Sequence, residues 1–325
     1  MKILLILLIS FSAMGREIPA TISDFPIKLS QWKIFLFENN KFKLNNDVHI
    51  YQLRTSLFTD YSLKLRTMTL PENKKATWSG TKLVFPVGTI LTKTFYYKPE
   101  EIGRFQTLTG PWGVNQYLME TRILFKSKKG WLASSYAWKG KEAFLLSNSN
   151  SVSMNYKDEE FEYLMPSQKD CLHCHTGPIG PKRADNLNLS ELMAKKLIEE
   201  KNTAEIKPLP VWNKSETGTL KERTHAYLEV NCAHCHNPKG RAATTDLDYR
   251  MEASIDKKGH CMTSYSADEN EYVIHSGKPQ ESEILVKLKS RDVINKMPEI
   301  GRDLVHKEAV TLVNDYIKSF KDNCD

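Results

Sequence analysis

Two copies of the pattern Cys-x-x-Cys-His constrain the fold and chemistry of this chain more than any other feature of its sequence. The first copy reads CLHCH at residues 171–175, and the second reads CAHCH at residues 232–236. The chain has 325 residues but only 6 cysteines, so most of its cysteines belong to these two short stretches. The sequence therefore indicates two sites with one shared chemistry.

The spacing of this pattern is the attachment signature of a c-type haem. Two thiols add to the two vinyl groups of one porphyrin, and residues three apart lie on one side of a helical turn, so both sulfurs reach the ring edge. The histidine after the second cysteine places its imidazole over the iron as the proximal ligand. The sequence thus predicts two covalent haem c groups. The attachment cysteines are Cys171, Cys174, Cys232 and Cys235, and the histidine iron ligands are His175 and His236.

Two other uses of paired cysteines fit this sequence less well. Structural zinc prefers Cys-x-x-Cys knuckles separated by a short segment, whereas a long segment separates Cys174 from Cys232. A thioredoxin-like redox site has one Cys-x-x-Cys pair at a strand–helix junction, and two copies that are each followed by histidine fit it poorly. The inner histidines, His173 and His234, are expected to be exposed turn residues and not metal ligands.

The N-terminus has the composition of a secretory signal peptide. Lys2 precedes the apolar run ILLILLISFSAMG, which ends in small residues and is too short to span a bilayer. We expect residues 1–15 to be removed and the mature protein to be periplasmic or secreted, with no membrane-spanning segment. An oxidising compartment permits disulfides. Cys261 and Cys324 are the two remaining cysteines, and the sequence leaves open whether they pair or stay as thiols.

The residue pattern predicts an α+β multidomain protein whose N-terminal β-sandwich domain occupies residues 16–178 and ends in the first haem motif. Residues 83–97, 117–138 and 143–148 are rich in β-branched and aromatic residues, and turn sequences such as GPWG and KKGW bound them. Several short strands separated by such turns are typical of a β-sandwich.

A linker and a helical domain are predicted after the first motif. Residues 179–219 form the linker, which contains prolines and glycines and one helix over 190–201 with Ser190 as its N-cap. Residues 220–325 are predicted to form a helical class I cytochrome c domain. One of its helices leads into the second motif, and the apolar positions of HKEAVTLVNDYIKSF recur at helical spacing near the C-terminus.

Met297 is the predicted second iron ligand of the haem at the second motif. It lies in the loop KMPEIG, and a thioether ligand raises the reduction potential and leaves the iron six-coordinate. The alternative is a core methionine, in which case another residue would be the ligand. The other candidates are Met262, His260, His275 and His306. The carbonyl of Pro238 is expected to accept a hydrogen bond from Nδ1–H of His236 and so orient the ring.

Six stretches of the chain resemble a family of exported di-haem c-type cytochromes known mostly from bacterial genomes. These stretches are SLFTDYSLKLR, FPVGTILTKTFYY, ETRILF, CLHCHTGPIGPKRADNLN, YLEVNCAHCHNPKG and MPEIGRDLVHKEAV. The resemblance covers nearly all of the mature chain, and it implies an architecture with two haems.

The N-terminal half also resembles the β-sandwich cytochromes of the c-prime-beta type. The stretch FPVGTILTK, the later KKGW and a haem motif after the last strand carry this resemblance. It implies a first haem with an open distal face that binds a small-molecule ligand, with Lys93 near the porphyrin. The residues that would otherwise supply a sixth ligand there are Met119, Met154, Met165 and His49.

The charge of the chain favours contact with other proteins. Its 46 basic and 39 acidic residues give a net charge of +7, and this modest excess suits weak, fast docking to acidic redox partner proteins. There is no dense basic stripe with interleaved aromatic residues, so nucleic acid is not an expected partner. We therefore expect an electron carrier that passes single electrons through two haems.

Two alternatives to an electron carrier stay open from the sequence. One is a haem enzyme that acts on peroxide, hydroxylamine or nitric oxide at an open first haem, with the second haem as an electron conduit. The other is a carbohydrate-binding or scaffold role for the β-sandwich domain. The sequence presents no nucleophile triad, phosphate loop or paired acid–base carboxylates that would name catalytic residues.

Overall fold

The computed structural model describes residues 19–38, 41–103, 108–109, 115–168, 170, 184–264 and 271–324. Antiparallel β-sheets make up the N-terminal part of the chain, and a C-terminal region with helices follows them. This order confirms the predicted α+β class. Within the described residues, no helix is long and apolar enough to cross a membrane.

The strands belong to one large sheet and two hairpins. Their bounds are β1 (Phe35–Glu38), β2 (Lys41–Leu44), β3 (His49–Ile50), β4 (Leu63–Thr69), β5 (Thr77–Ser79), β6 (Lys82–Val84), β7 (Ile90–Tyr97), β8 (Leu108–Thr109), β9 (Asn115–Ser127), β10 (Gly130–Lys139), β11 (Glu142–Leu145), β12 (Asn150–Tyr156) and β13 (Glu159–Met165). The 9-stranded sheet has the order β1-β2-β8-β9-β7-β4-β3, and β10 joins it by pairing with β9 and β11. Only β2 and β8 pair in parallel among these strands.

The strands predicted from the sequence are confirmed, with one division. The stretch 83–97 contains the end of β6 and all of β7, because the chain turns at Pro86, whose carbonyl accepts from the Thr89 amide. The stretch 117–138 is the β9–β10 hairpin, and β11 begins close to residue 143. Alternating side chains and the KKG turn suffice to specify this hairpin locally.

The large sheet is apolar on both faces, but in different ways. One face carries a continuous cluster in which Ile123 and Phe125 of β9 pack against Trp32 and Phe35. The opposite face carries two separate clusters. One surrounds Met68 of β4 and includes residues that follow the sheet in the chain; the other surrounds Phe95 and Tyr97 of β7 together with side chains of the β12–β13 hairpin.

The linker prediction is partly wrong, because helix α1 spans only Leu189–Ala194 and its N-cap is Asn188. The chain then leaves helical geometry at Lys196, which has a φ of 56°. Leu197 and Ile198 follow, both buried against the cluster around Met68, and the Ala76 amide donates to the Leu197 carbonyl. The free energy gained by burying these two large side chains against the sheet exceeds the free energy gained by continuing an exposed, charged helix.

Three more helices form the C-terminal region: α2 (Leu220–Asn231), α3 (Glu283–Lys289) and α4 (Lys307–Lys318). Helix α2 begins with a capping box in which Thr219 and Glu222 satisfy each other's backbone amides. Helices α2 and α4 pack in one apolar core, and His225 Nε2 lies 3.0 Å from the Tyr316 hydroxyl between them.

The two parts of the chain contact each other through the segment before β4. The Phe58 amide donates to Asn231 Oδ1 at the end of α2 (2.8 Å). The Asp60 carboxylate accepts from the amides of Asp303 and Leu304, both at 2.7 Å. The C-terminal end of α2, where the second Cys-x-x-Cys-His begins, therefore lies against the sheet region.

Candidate functional site

The second motif forms one tight turn directly after α2. The Cys232 amide donates to the Leu228 carbonyl (2.8 Å), and the amides of Cys235 and His236 both donate to the Cys232 carbonyl (3.1 and 3.0 Å). Cys232 and Cys235 remain thiols, whereas Cys261 and Cys324 form a disulfide with a Cα–Cα distance of 5.0 Å. The turn presents two thiols and an imidazole within one short stretch.

Hydrogen bonding fixes the imidazole of His236. Its Nδ1 lies 3.2 Å from Thr245 Oγ1, and the Thr245 hydroxyl donates to the Ala242 carbonyl (2.7 Å). The Thr245 oxygen therefore accepts the proton of Nδ1, so Nε2 keeps its lone pair for a metal. Burial lowers the pKa of His236, which favours this neutral form. The predicted partner Pro238 is wrong, because the following loop brings Thr245 to the ring instead.

Gly240 allows the loop after the motif to fold back. A Cβ at this position would lie 2.0 Å from the Cys235 carbonyl oxygen, closer than any real contact. The same carbonyl accepts from the Ala242 amide (3.1 Å), and Asn237 Nδ2 donates to the Ala233 carbonyl (2.8 Å). Sequence reasoning missed both Gly240 and Thr245; the glycine in NPKG was a visible turn signal, but no signal pointed to the threonine.

Burial shifts the pKa values of two side chains of the motif. Burial raises the pKa of the Cys232 thiol to about 12, and nearby Arg302 opposes that rise. Burial also lowers the pKa of His234 to about 4, with smaller contributions from His236 and Lys93. The expectation that His234 is exposed is therefore wrong, because its side chain is half-buried.

Hydrogen bonds to other residues fix the loop that contains Met297. The Met297 amide donates to the Lys287 carbonyl (3.1 Å), and Arg302 donates from Nε and Nη2 to the Met297 carbonyl (3.0 and 2.7 Å). The charge of Glu299 raises the pKa of His236 against the larger effect of burial, and the charge of Arg302 lowers that of Cys232. Met297 as the iron ligand stays a prediction.

The other ligand candidates near this region have different surroundings. His306 Nδ1 lies 3.2 Å from the Tyr227 hydroxyl, and its ring stacks on Phe58. His260 Nε2 lies 3.4 Å from an Asp322 carboxylate oxygen, and Met262 packs against the helical core. His275 Nδ1 lies 3.2 Å from Glu281 Oε2. Its buried Nε2 has no hydrogen-bond partner among the described residues.

The first motif, Cys171, Cys174 and His175 with His173 between them, lies outside the described residues. The described residue Asp170 accepts from the Ser167 amide (2.8 Å) and from the Ser149 hydroxyl. The three methionine candidates for this haem are buried in the cluster around Phe95: Met119, Met154 and Met165. His49 is half-buried in β3, and burial lowers its pKa.

Comparisons of the chain with known protein families, with curated proteins and with solved structures find no match. The described residues contain no group of three or more His, Cys, Asp or Glu that could hold a metal ion. The second motif instead provides what covalent haem attachment needs: two thiols on one turn and a neighbouring imidazole whose Nδ1 is already hydrogen-bonded. The residues present therefore fit a c-type haem.

Proposed function

We propose that this protein is an exported di-haem c-type cytochrome that transfers single electrons through two covalently attached haems. The observation that carries the proposal is the geometry of His236, whose Nδ1 is held by Thr245 beside the thiols of Cys232 and Cys235. The same sequence pattern recurs at residues 171–175. An imidazole that binds a metal commonly donates its other ring N–H in this way.

Helix packing supports a class I cytochrome c plan for residues 220–325. In that plan a helix leads into the motif, a C-terminal helix packs across it, and the loop between them supplies the distal ligand. Helix α2 ends at the motif and packs against α4 through His225 and Tyr316. Arg302 fixes the loop by donating to the Met297 carbonyl, and Met297 is the proposed distal ligand. The N-terminal sheets are the proposed β-sandwich domain.

The residues around the second motif have separate tasks in this proposal. A haem, when bound, supplies one-electron oxidation and reduction. Cys232 and Cys235 would hold the porphyrin through thioethers, and Thr245 keeps the His236 ring in place. The Tyr249 ring lies edge-on to His236 with a centroid distance of 5.4 Å, and it keeps water away from that side of the ligand. Arg302, only 5% exposed, fixes the distal loop.

Export and partner choice are part of the same proposal. A disulfide between Cys261 and Cys324 suits a periplasmic or secreted protein, since such compartments are oxidising. The net charge of +7 suits transient contact with acidic redox proteins, in which long-range attraction speeds encounter.

The test is a pyridine haemochrome spectrum of the mature protein together with its intact mass, after expression in a host that attaches haem. Two covalent haems per chain are expected. A protein without haem from such a host contradicts the proposal. Carbon monoxide added to the reduced protein then separates a carrier from an enzyme: two six-coordinate irons give no spectral change, whereas an open first haem gives one.

A further inference from the structure

A continuous series of aromatic rings crosses the interface between the sheet region and the helical region. It begins on strand β13 and ends on helix α2, and the centres of neighbouring rings are at most 6.1 Å apart. Aromatic pairs attract each other at such distances. We call this series the aromatic chain, and its members in order are Tyr163, Tyr97, Tyr156, Tyr61, His306, Trp212 and Tyr227.

Two parallel tyrosine rings form the centre of the aromatic chain. Tyr61 and Tyr156 stack with a centre-to-centre distance of 5.0 Å and an interplanar angle of 3°. Tyr156 belongs to β12, and Tyr61 precedes β4. On the other side of Tyr61 lies the ring of His306, the residue directly before α4, which also stacks on Phe58 at 4.0 Å. The aromatic chain therefore passes from one region to the other without a break.

The backbone at the centre of the aromatic chain has an unfavourable conformation. Asp60 and Tyr61 have positive φ values of 44° and 56°, which a bulky residue rarely adopts. Strain of this kind persists where the surroundings enforce it, and it clusters at functional sites. Here the Asp60 carboxylate accepts from two backbone amides of the helical region, and its carbonyl accepts from the Tyr97 hydroxyl (2.6 Å). The fold thus keeps a tyrosine ring at this place despite the strain.

Hydroxyl groups of the aromatic chain donate to carboxylates. The Tyr61 hydroxyl donates to Glu308 Oε2 (2.9 Å), and the Tyr163 hydroxyl donates to Glu120 Oε1 (3.1 Å). A tyrosine loses an electron more easily when a positioned base takes its proton, because the protonated radical is a very strong acid. Phenylalanine would fill the same space without this proton. The hydroxyls therefore suit one-electron oxidation of the rings.

His306 links the two halves of the aromatic chain by polar contacts as well. Its Nδ1 lies 3.2 Å from the Tyr227 hydroxyl, and its Nε2 lies 3.9 Å from Glu308 Oε2, the oxygen that accepts from Tyr61. A carboxylate accepts only, so it favours a proton on Nε2 and leaves Nδ1 to accept from Tyr227. Both ring nitrogens of His306 thus face protein groups, and neither is left for a metal.

We propose that the aromatic chain carries single oxidising equivalents across the interface, with Tyr61 and Tyr156 as its central redox site. A one-electron oxidant takes an electron from the Trp212 indole, whose N–H proton passes to water. Tyr61 then gives an electron to Trp212, and the Tyr61 hydroxyl proton passes to the Glu308 carboxylate. The indole takes back a proton from water, and the radical stays on the stacked tyrosines.

The two ends of the aromatic chain indicate which oxidant it meets. Tyr227 packs in the apolar core that also contacts Cys232 of the second motif. Tyr163 belongs to β13, the last strand before the first motif. This placement favours a peroxide-derived one-electron oxidant generated at the second motif, whose oxidising equivalent the aromatic chain would lead away toward the sheet. The source of the oxidant rests on the proposed function, whereas the redox activity of the aromatic chain does not.

The first arm of the test is pulse radiolysis of the full-length protein in azide solution. The azide radical oxidises tryptophan, and absorption then follows the conversion of tryptophanyl into tyrosyl radicals. Wild type should show a conversion whose rate is independent of protein concentration. Trp212→Phe and Tyr61→Phe should reduce its rate or yield several-fold, and Glu308→Gln should slow it because the proton acceptor is lost. The matched control is Tyr136→Phe, a buried tyrosine outside the aromatic chain whose hydroxyl donates to the Pro26 carbonyl; it should leave the conversion unchanged.

The second arm locates the radical by spin trapping and peptide mapping. Wild type should carry adducts at Tyr61 or Tyr156, whereas Tyr61→Phe should keep them at Trp212. If Tyr61→Phe does not fold, Tyr156→Phe, which removes the stacked partner, replaces it in both arms. The inference is overturned if wild type shows no intramolecular conversion, or if neither Trp212→Phe nor the tyrosine variant changes it. A protein without haem contradicts the proposed function alone, because neither arm requires a haem.

Discussion

Different kinds of interaction stabilise the strand region and the helical region of this protein. Strand β9, Asn115–Ser127, pairs with β7 on one side and β10 on the other over most of its length. Helix α3, in contrast, spans only Glu283–Lys289, and long irregular segments separate the helices. Repeated backbone pairing stabilises the first region, whereas the second depends on an apolar core between its helices and on individual contacts between loops.

The loops of the helical region show how specific these contacts are. Lys258 is 1% exposed, and its ammonium group donates to the carbonyls of Arg250 (2.6 Å) and Ala253. A buried lysine in this role organises an irregular segment in which Asp256–Lys258 form a single 3-10 turn. Covalent cross-links stabilise such a region more than they stabilise a sheet, because its loops lose more conformational entropy on folding. The disulfide and the proposed haem both lie there.

Removal of the proposed second haem site should change the helical region more than any other substitution. In Cys232→Ala with Cys235→Ala, we expect one haem per chain by pyridine haemochrome, and we expect the helical region to unfold at a lower temperature while the sheet keeps its stability. The reason is that the turn packs into the helical core through Ala233 and Cys232.

Cys171→Ala with Cys174→Ala is the matched control, and it should also retain one haem, attached at the second motif. Peptide mapping of the haem-bearing fragment distinguishes the two variants. Two haems per chain after removal of the second motif would contradict the prediction.

Removal of the disulfide is the next largest change. Cys261 and Cys324 are 63 positions apart in the chain, and a cross-link over such a loop contributes about 4 kcal/mol in the chain-entropy description. We expect Cys261→Ala with Cys324→Ala to lower the free energy of unfolding of the helical region by about this amount. Hydrogen exchange should accelerate in α4 and stay unchanged in β9. Equal acceleration in both elements would show that the regions unfold together.

Local patterns were sufficient to predict part of this molecule. The β9–β10 hairpin has alternating side chains and a Lys-Gly turn, and α4 has an apolar stripe at helical spacing; both signals involve residues close in sequence. The pattern at 232–236 likewise predicted the thiols and imidazole that the turn brings together. In each case the determining interactions extend over a few residues only.

Interactions between distant residues could not be predicted in this way. The contact of His236 with Thr245 depends on how the loop returns past Gly240. The juxtaposition of Arg66, Lys93 and Arg122 depends on the order of three strands that the chain visits far apart in sequence. Helix α1 ends early because Leu197 and Ile198 are buried against the sheet. Local residue propensities do not predict such a long-range contact.

Asp60, at the interface of the two regions, should make the stability of the protein depend on pH. Burial raises the pKa of Asp60 from 3.8 to about 6, against the opposing effect of the amides of Leu304 and Asp303. Between these two values the folded protein binds more protons than the unfolded one, so stability falls as pH rises from about 4 to about 6. The full penalty, about 3 kcal/mol, is present above pH 6 and absent below pH 4.

Asp60→Asn tests this directly, since the amide oxygen still accepts from both backbone amides but carries no charge. The free energy of unfolding, measured with denaturant, should be higher for the variant than for wild type at pH 7. This difference should disappear near pH 4. Exposed Asp47→Asn is the control and should show no such pH-dependent gain. A gain of equal size at both pH values would point to a cause other than the charge of Asp60.

The smallest expected effect concerns the orientation of the iron ligand. Thr245→Val removes the acceptor for Nδ1–H of His236 without changing the volume of the side chain appreciably. A hydrogen-bonded Nδ1–H makes an imidazole a stronger donor and favours the oxidised metal, so its loss should raise the potential of the second haem alone. Exposed Thr244→Val is the neighbouring control. Because no thioether is touched, haem content should stay at wild-type level in both variants; an unchanged potential in Thr245→Val would mean that the loop after Gly240, and not its hydrogen bond, holds the ring.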